Sequence, residues 1–189
     1  GTSAYDVEQA VRTRYGAGAR RPEPALCCPT SYDSHHVDLL PAEIRERDYG
    51  CGDPTVYVGP GESVVDLGCG GGKICYILAQ KVGAEGRAIG VDFSDEMLAL
   101  ARRYELEMGE KLGYHNVSFR KGRIQDLALD LEKAEAWLGE HPVTDIESLG
   151  RFEKECDRLR REQPLIPDGS VDVVVSNCVL NLVRPQDKQ

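Results

Sequence analysis

The chain has 189 residues, enough for one domain with a sizeable core or one domain with an appendage. Its 32 acidic residues against 23 basic ones give a net charge of −9, which argues against duplex nucleic acid or an anionic membrane surface as partner. No apolar run approaches the roughly 18 residues that span a bilayer. The seven cysteines are odd in number and irregular in spacing, so they form neither a disulfide framework nor paired CxxC zinc elements, and they read as those of a cytosolic chain.

In chain order, residues 4–15 (AYDVEQAVRTRY) predict a short helix, with Val7, Ala10 and Val11 on one stripe and Gly16 ending it. Residues 17–40 are loop-like and carry the vicinal pair Cys27-Cys28. A short helix follows in PAEIRERD, with Pro41 at its first position. Tyr49 to Pro54 is a turn by composition and holds Cys51. Residues 1–61 are thus an N-terminal helical and loop extension.

From residue 62 to 189 the pattern becomes regular α/β alternation. Ser63–Leu67 (SVVDL) predicts a buried strand, followed by the glycine turn GCGGG at 68–72. Residues 73–82 (KICYILAQKV) predict a helix with Ile74, Ile77, Leu78 and Val82 on one face, closed by Gly83. A second strand spans 87–91 and ends at Asp92. Ser94 then caps a single helix over 95–112, with Met97, Ala101, Tyr104 and Met108 inward. The third strand is 116–121 (NVSFRK), and the fourth is the apolar run 171–175 (VDVVV). Between them, residues of about 128–163 read as two charged amphipathic helices, 130–139 and 145–162, broken at Pro142. They form a helical insertion beside the sheet, with a lid over the pocket as the other reading.

Two motifs carry chemistry. In VVDLGCGGGK (64–73) glycines let the backbone turn with positive φ and leave no Cβ in a ligand's way. Asp92, at the end of the next strand, stands where a ribose-binding carboxylate is expected. The G-x-G-x-G spacing, with Asp66 inside the strand, resembles class I S-adenosylmethionine-dependent methyltransferases. That resemblance implies a Rossmann-like sheet in which strands one and four are neighbours, ending here after its fourth strand, as an amino-terminal portion of a longer enzyme would. It also implies a cofactor pocket lined by Tyr15, Asp66, Gly68, Gly70, Gly72, Asp92, Phe93, Ile124, Gln125 and Asn177. Arg123 occupies the place where relatives carry the acid that binds adenine N6, leaving Gln125 or Asp126 as acceptor.

The second motif is SNCVLNLV at 176–183. Ligands sit over the carboxyl ends of strands where strand order reverses. Cys178, just past strand four, and Cys75, in the first turn of the helix after the glycine loop, are expected to border that cleft. The helix dipole is expected to favour the Cys75 thiolate. Cys51 can swing to the same mouth. His35, His36, His115 and His141 all fall in loops, so no His–acid pair offers a general base. Soft thiolates instead suit a thiophilic acceptor such as trivalent arsenic.

YGCG (49–52), DLGCGGGKIC (66–75) and SNCVLNLV (176–183) resemble the cysteine motifs of arsenite S-adenosylmethionine methyltransferases. By this resemblance Cys75 and Cys178 hold arsenic as substrate. Cys51 takes part in thiol exchange, and a thiol reductant such as glutathione or thioredoxin restores the enzyme in the cytoplasm. Cys69 is then structural and Cys156 incidental. The alternatives are a methyltransferase for another small molecule and a non-catalytic arsenic-binding module.

Overall fold

The computed structural model describes residues 32–47, 52–177 and 179. Four parallel strands, β1 (Ser63–Leu67), β2 (Arg87–Asp92), β3 (Val117–Lys121) and β4 (Val173–Ser176), lie in the order β3-β2-β1-β4. Strand order therefore reverses between β1 and β4, as expected. The register sets Leu67 opposite both Val91 and Ser176, and Asp92 opposite Lys121. The residues that follow each strand consequently emerge together along one edge. The strands are short and rich in Val and Ile, and β1 buries Val64, Val65 and Asp66 together, as a central parallel strand must.

The helices are α1 (Ser34–Asp38), α2 (Ala42–Glu46), α3 (Lys73–Val82), α4 (Asp95–Arg102), α5 (Glu105–Leu112), α6 (Leu131–Glu140) and α7 (Ile146–Glu162), with a 3-10 turn at Pro54–Tyr57. Helix α3 packs on one sheet face, where Leu78, Ala79 and Val82 join Val64, Ala88 and Val175. On the other face Leu165 and Ile166, on the segment returning from the insertion, cover Val65, Ile89 and Val91. No helix among the described residues is long and apolar enough to cross a membrane.

Four local expectations are corrected. The loop-like stretch 17–40 contains helix α1, which Asp33 caps by accepting from the His35 N–H. Pro41 is the N-cap of α2 rather than its first residue. The fourth strand begins at Val173, because the Asp172 N–H and side chain both bond the Ser63 backbone and anchor the strand's entry. The single helix expected over 95–112 is two: Tyr104 leaves helical geometry at φ −106° and ψ 4°. The cause is tertiary. Glu43 on α2 accepts from Arg103 Nη1 at 2.8 Å and from the Tyr104 hydroxyl, drawing both residues toward α2. The two insertion helices form where expected. A capping box between Asp145 and Ser148 starts the second. The expected helix over 4–15 lies outside the described residues.

Candidate functional site

The glycine turn is built by backbone geometry that side chains resist. Gly68, Gly70 and Gly72 have φ of 76°, 51° and 87°, all left-handed. Close packing adds a second demand at two of them. A Cβ on Gly68 would lie 2.5 Å from Val179, and one on Gly72 would lie 2.6 Å from Phe119. The turn folds back on the end of β2: the Gly68 and Cys69 amides donate to Val91 O at 2.7 and 3.1 Å. The Gly70 amide donates to Asp92 Oδ2 at 2.9 Å.

Asp92 is thereby fixed. Its other oxygen accepts from the Ser94 amide at 2.9 Å, and the carboxyl group lies at 8% exposure at the strand end. Burial raises its pKa, opposed by the amides of Ser94, Gly70 and Phe93. A carboxylate offers about four lone-pair sites, so three amides leave capacity for a ribose hydroxyl. Asp66, at 2% exposure in β1, is pushed up to about 7 by burial, with the nearby Asp92 charge adding to the rise and a hydrogen bond from Cys75 opposing it. Two buried acids whose charges oppose each other suit a cationic ligand.

Cys75 departs from expectation. Its thiol has no exposed surface and points at Asp66, with Sγ 3.6 Å from Oδ2. Burial drives its pKa well above the ordinary thiol value, with Cys69 and Asp66 adding to the rise. Desolvation thus works against the helix dipole and disfavours the thiolate at this position. The signal was in the sequence: Ile74 through Ala79 is an unbroken apolar run, and all six residues are buried. A helix buried on nearly every side has no open first turn.

Cys69, expected to be structural, is buried against Gly70 O, its thiol raised to about 11 by burial. Cys156, taken as incidental, packs with Leu129, Ala134 and Leu159 in the small core between α6 and α7.

Tyr15, Cys51 and Cys178 lie outside the described residues, as do Cys27 and Cys28. Gly52, Asn177 and Val179, which adjoin Cys51 and Cys178 in the chain, are described. Asn177 Nδ2 donates to Gly52 O at 2.8 Å, and the Tyr32 hydroxyl donates to the same carbonyl at 3.3 Å. Lys73, the first residue of α3, sits over the Tyr32 ring at 4.5 Å from its centroid. Val179 packs on Gly68. The residues flanking position 178 therefore touch the glycine turn on one side and the turn after position 51 on the other. Tyr32 was missed in the sequence, where a lone tyrosine in a polar loop carries no pattern.

Beyond β3, Gly122 N donates to Asp92 O at 2.9 Å, and the Asp126 amide closes a turn onto Arg123 O at 3.0 Å. Ile124, half-buried, and Gln125, exposed, form its tip. Asp126 is engaged within the protein: Oδ1 accepts from the Leu129 amide at 3.2 Å, and Oδ2 accepts from Arg160 at 3.1 and 3.0 Å.

A family model described as a methyltransferase domain matches residues 59–161. The chain is similar to the arsenite methyltransferase of Aquipseudomonas alcaligenes, 39% identical over 145 residues, covering 77% of this chain and 32% of that protein. It is similar to the arsenite methyltransferase of Halobacterium salinarum, 36% identical over 159 residues, covering 83% of this chain and 30% of that protein. Among solved structures, an arsenic (III) S-adenosylmethionine methyltransferase from Chlamydomonas reinhardtii superposes with a TM-score of 0.56 at 26% identity, covering 85% of this chain and 42% of that chain. The chain thus spans about a third of the length of the first two relatives.

Proposed function

This chain belongs to the methyltransferase-domain family, and from that premise we propose that it is the cofactor-binding part of an arsenite methyltransferase. The residues present fit S-adenosylmethionine. The glycine turn offers backbone without Cβ at Gly70, and Asp92 offers acceptor capacity at the end of β2. When bound, the cofactor supplies an activated methyl group on a sulfonium centre.

The protein's part is to hold and to orient. Asp92 and the Phe93 segment receive the ribose, Ile124 and Gln125 the adenine, and Gly68, Gly70 and Gly72 admit the methionine end. Trivalent arsenic bound by sulfur keeps a lone pair that needs no deprotonation, so the site calls for thiols rather than a general base. Cys178 and Cys51 are the thiols we assign to it. The observation that carries this reading is the hydrogen bond from Asn177 to Gly52 O, because each partner is one residue from one of these cysteines. The buried Cys75 then acts by packing and by holding Asp66. Pentavalent product is reduced at the expense of enzyme thiols, which a cytoplasmic thiol reductant such as glutathione or thioredoxin restores.

The test is incubation of the complete enzyme with arsenite, a thiol and methyl-labelled cofactor. Labelled methylarsenic is expected, and Cys178→Ser should lower its formation by about a hundredfold, the scale of losing a positioned group. Equal turnover by the variant would assign the chemistry elsewhere. Arsenite binding without any S-adenosylhomocysteine formed would mark a binding module instead.

A further inference from the structure

We propose that the helical insertion braces the nucleotide side of the cleft, with Arg160 and Glu135 as positioning residues that hold the loops after β2 and β3 in binding geometry before the cofactor arrives. This rests on the reading of Asp92, Ile124 and Gln125 as cofactor-binding. The turn at 123–126 has Ile124, half-buried, and Gln125, exposed, at its tip. Its far end is clamped from the insertion. Two nitrogens of Arg160, in the last turn of α7, converge on Asp126 Oδ2, while Oδ1 of the same carboxylate receives the Leu129 amide. The near end is covered by the segment returning from the insertion, since a Cβ on Gly122 would lie 2.3 Å from Leu165.

The neighbouring loop is tied to the same brace. Lys121, the last residue of β3 and 4% exposed, reaches Glu135 on α6 at 2.6 and 2.7 Å and Asp95 at 2.7 Å. Asp95 opens α4, three residues after Asp92. Arg102 adds a fork onto Glu132 of α6, at 2.7 and 3.1 Å, while also donating to Phe119 O in β3. The backbone completes the frame: Leu165 and Ile166 amides donate to Ala128 O and Leu127 O at 3.0 and 2.9 Å. The insertion thus leaves and re-enters the sheet beside the turn that its own arginine clamps.

Partly exposed ion pairs of this kind add little to global stability. They can still decide affinity, because a binding-competent geometry populated a fraction of the time weakens apparent affinity by that fraction. Arg160→Met in the complete enzyme should raise the dissociation constant of S-adenosylhomocysteine about tenfold, measured by calorimetry, if the unclamped turn keeps its geometry about a tenth of the time. Arg160→Lys, which retains one donor, should fall between. Asp126→Asn combined with Arg160→Met should be no worse than Arg160→Met alone, because both remove one contact. The KM for arsenite and the unfolding midpoint of the cofactor-free protein should stay at wild-type values. The inference is overturned if Arg160→Met binds the nucleoside as the wild type does. It is also overturned if nucleoside and arsenite weaken together with a lowered midpoint, which would make the insertion a stabiliser only. A wild-type enzyme that fails to bind S-adenosylhomocysteine would sink the cofactor reading itself, and this inference with it.

Discussion

The glycine-turn region and the insertion are held by opposite means. Around β1, α3 and β2 the chain buries nearly everything, including the two acids Asp66 and Asp92 and the thiol of Cys75. Around α6 and α7 it buries a small cluster about Leu129, Ala134, Cys156 and Leu159 and dresses the rest with ion pairs such as Arg158 with Glu155 and Glu162. Burial fixes geometry and shifts ionisation, while exposed pairs orient without adding much stability. The first region therefore stores its chemistry in desolvated groups, and the second acts on its neighbours through a few placed charges.

The sharpest way to break the comparison is through Asp66. Its folded pKa of about 7 lies above the ordinary 3.8, so the native state holds a proton that the unfolded state releases. Stability should then fall as pH rises from about 4 to about 7, by up to about 1.4 kcal/mol per pH unit, and level off above. Asp66→Asn should flatten most of that slope in urea titrations, leaving a shallower one from Asp92, which shifts in the same direction. The Cys69 and Cys75 thiols face the same space but are raised in the folded state, so they stay protonated across this window. A variant with the wild-type slope would show that Asp66 is ionised in the fold.

Next in size is Gly72→Ala. It places a side chain at φ 87° against Phe119. Left-handed strain and overpacking together predict a loss of about 2–4 kcal/mol in urea unfolding. A loss under half that would mean that the turn has slack. Ser148→Ala in the insertion is smaller. Its buried hydroxyl accepts from the Thr144 and Asp145 amides at 2.9 Å each, and losing that cap should cost about 1 kcal/mol, read as faster amide exchange in α7 than in β1. Uniformly faster exchange would make the two regions one cooperative unit. Smallest is Arg151→Ala, whose pair with Glu147 is exposed at 56% and 86%. No shift in the urea midpoint is expected, and a clear one would overturn the contrast.

The same contrast explains what could be read from residues alone. Strands β1 and β2, the glycine turn and Asp92 were legible because apolar runs, positive-φ glycines and a strand-end acid each have a local cause. Both insertion helices were legible from their amphipathic period and the break at Pro142. The break at Tyr104 was not, because it depends on Glu43, some sixty residues earlier in the chain. The burial of Cys75 was not read from its position in a first turn, although the apolar run around it pointed that way. Arg160 was invisible as a partner of Asp126, since an arginine on a charged helix has many possible partners until the fold selects one.

X-ray absorption at the arsenic edge, on the complete enzyme loaded with arsenite, tests the assignment of the thiols most directly. The account predicts that Cys51→Ser and Cys178→Ser each remove one sulfur neighbour of arsenic, while Cys75→Ala removes none. Loss of a sulfur neighbour in Cys75→Ala, with the full set kept in Cys51→Ser, would contradict it.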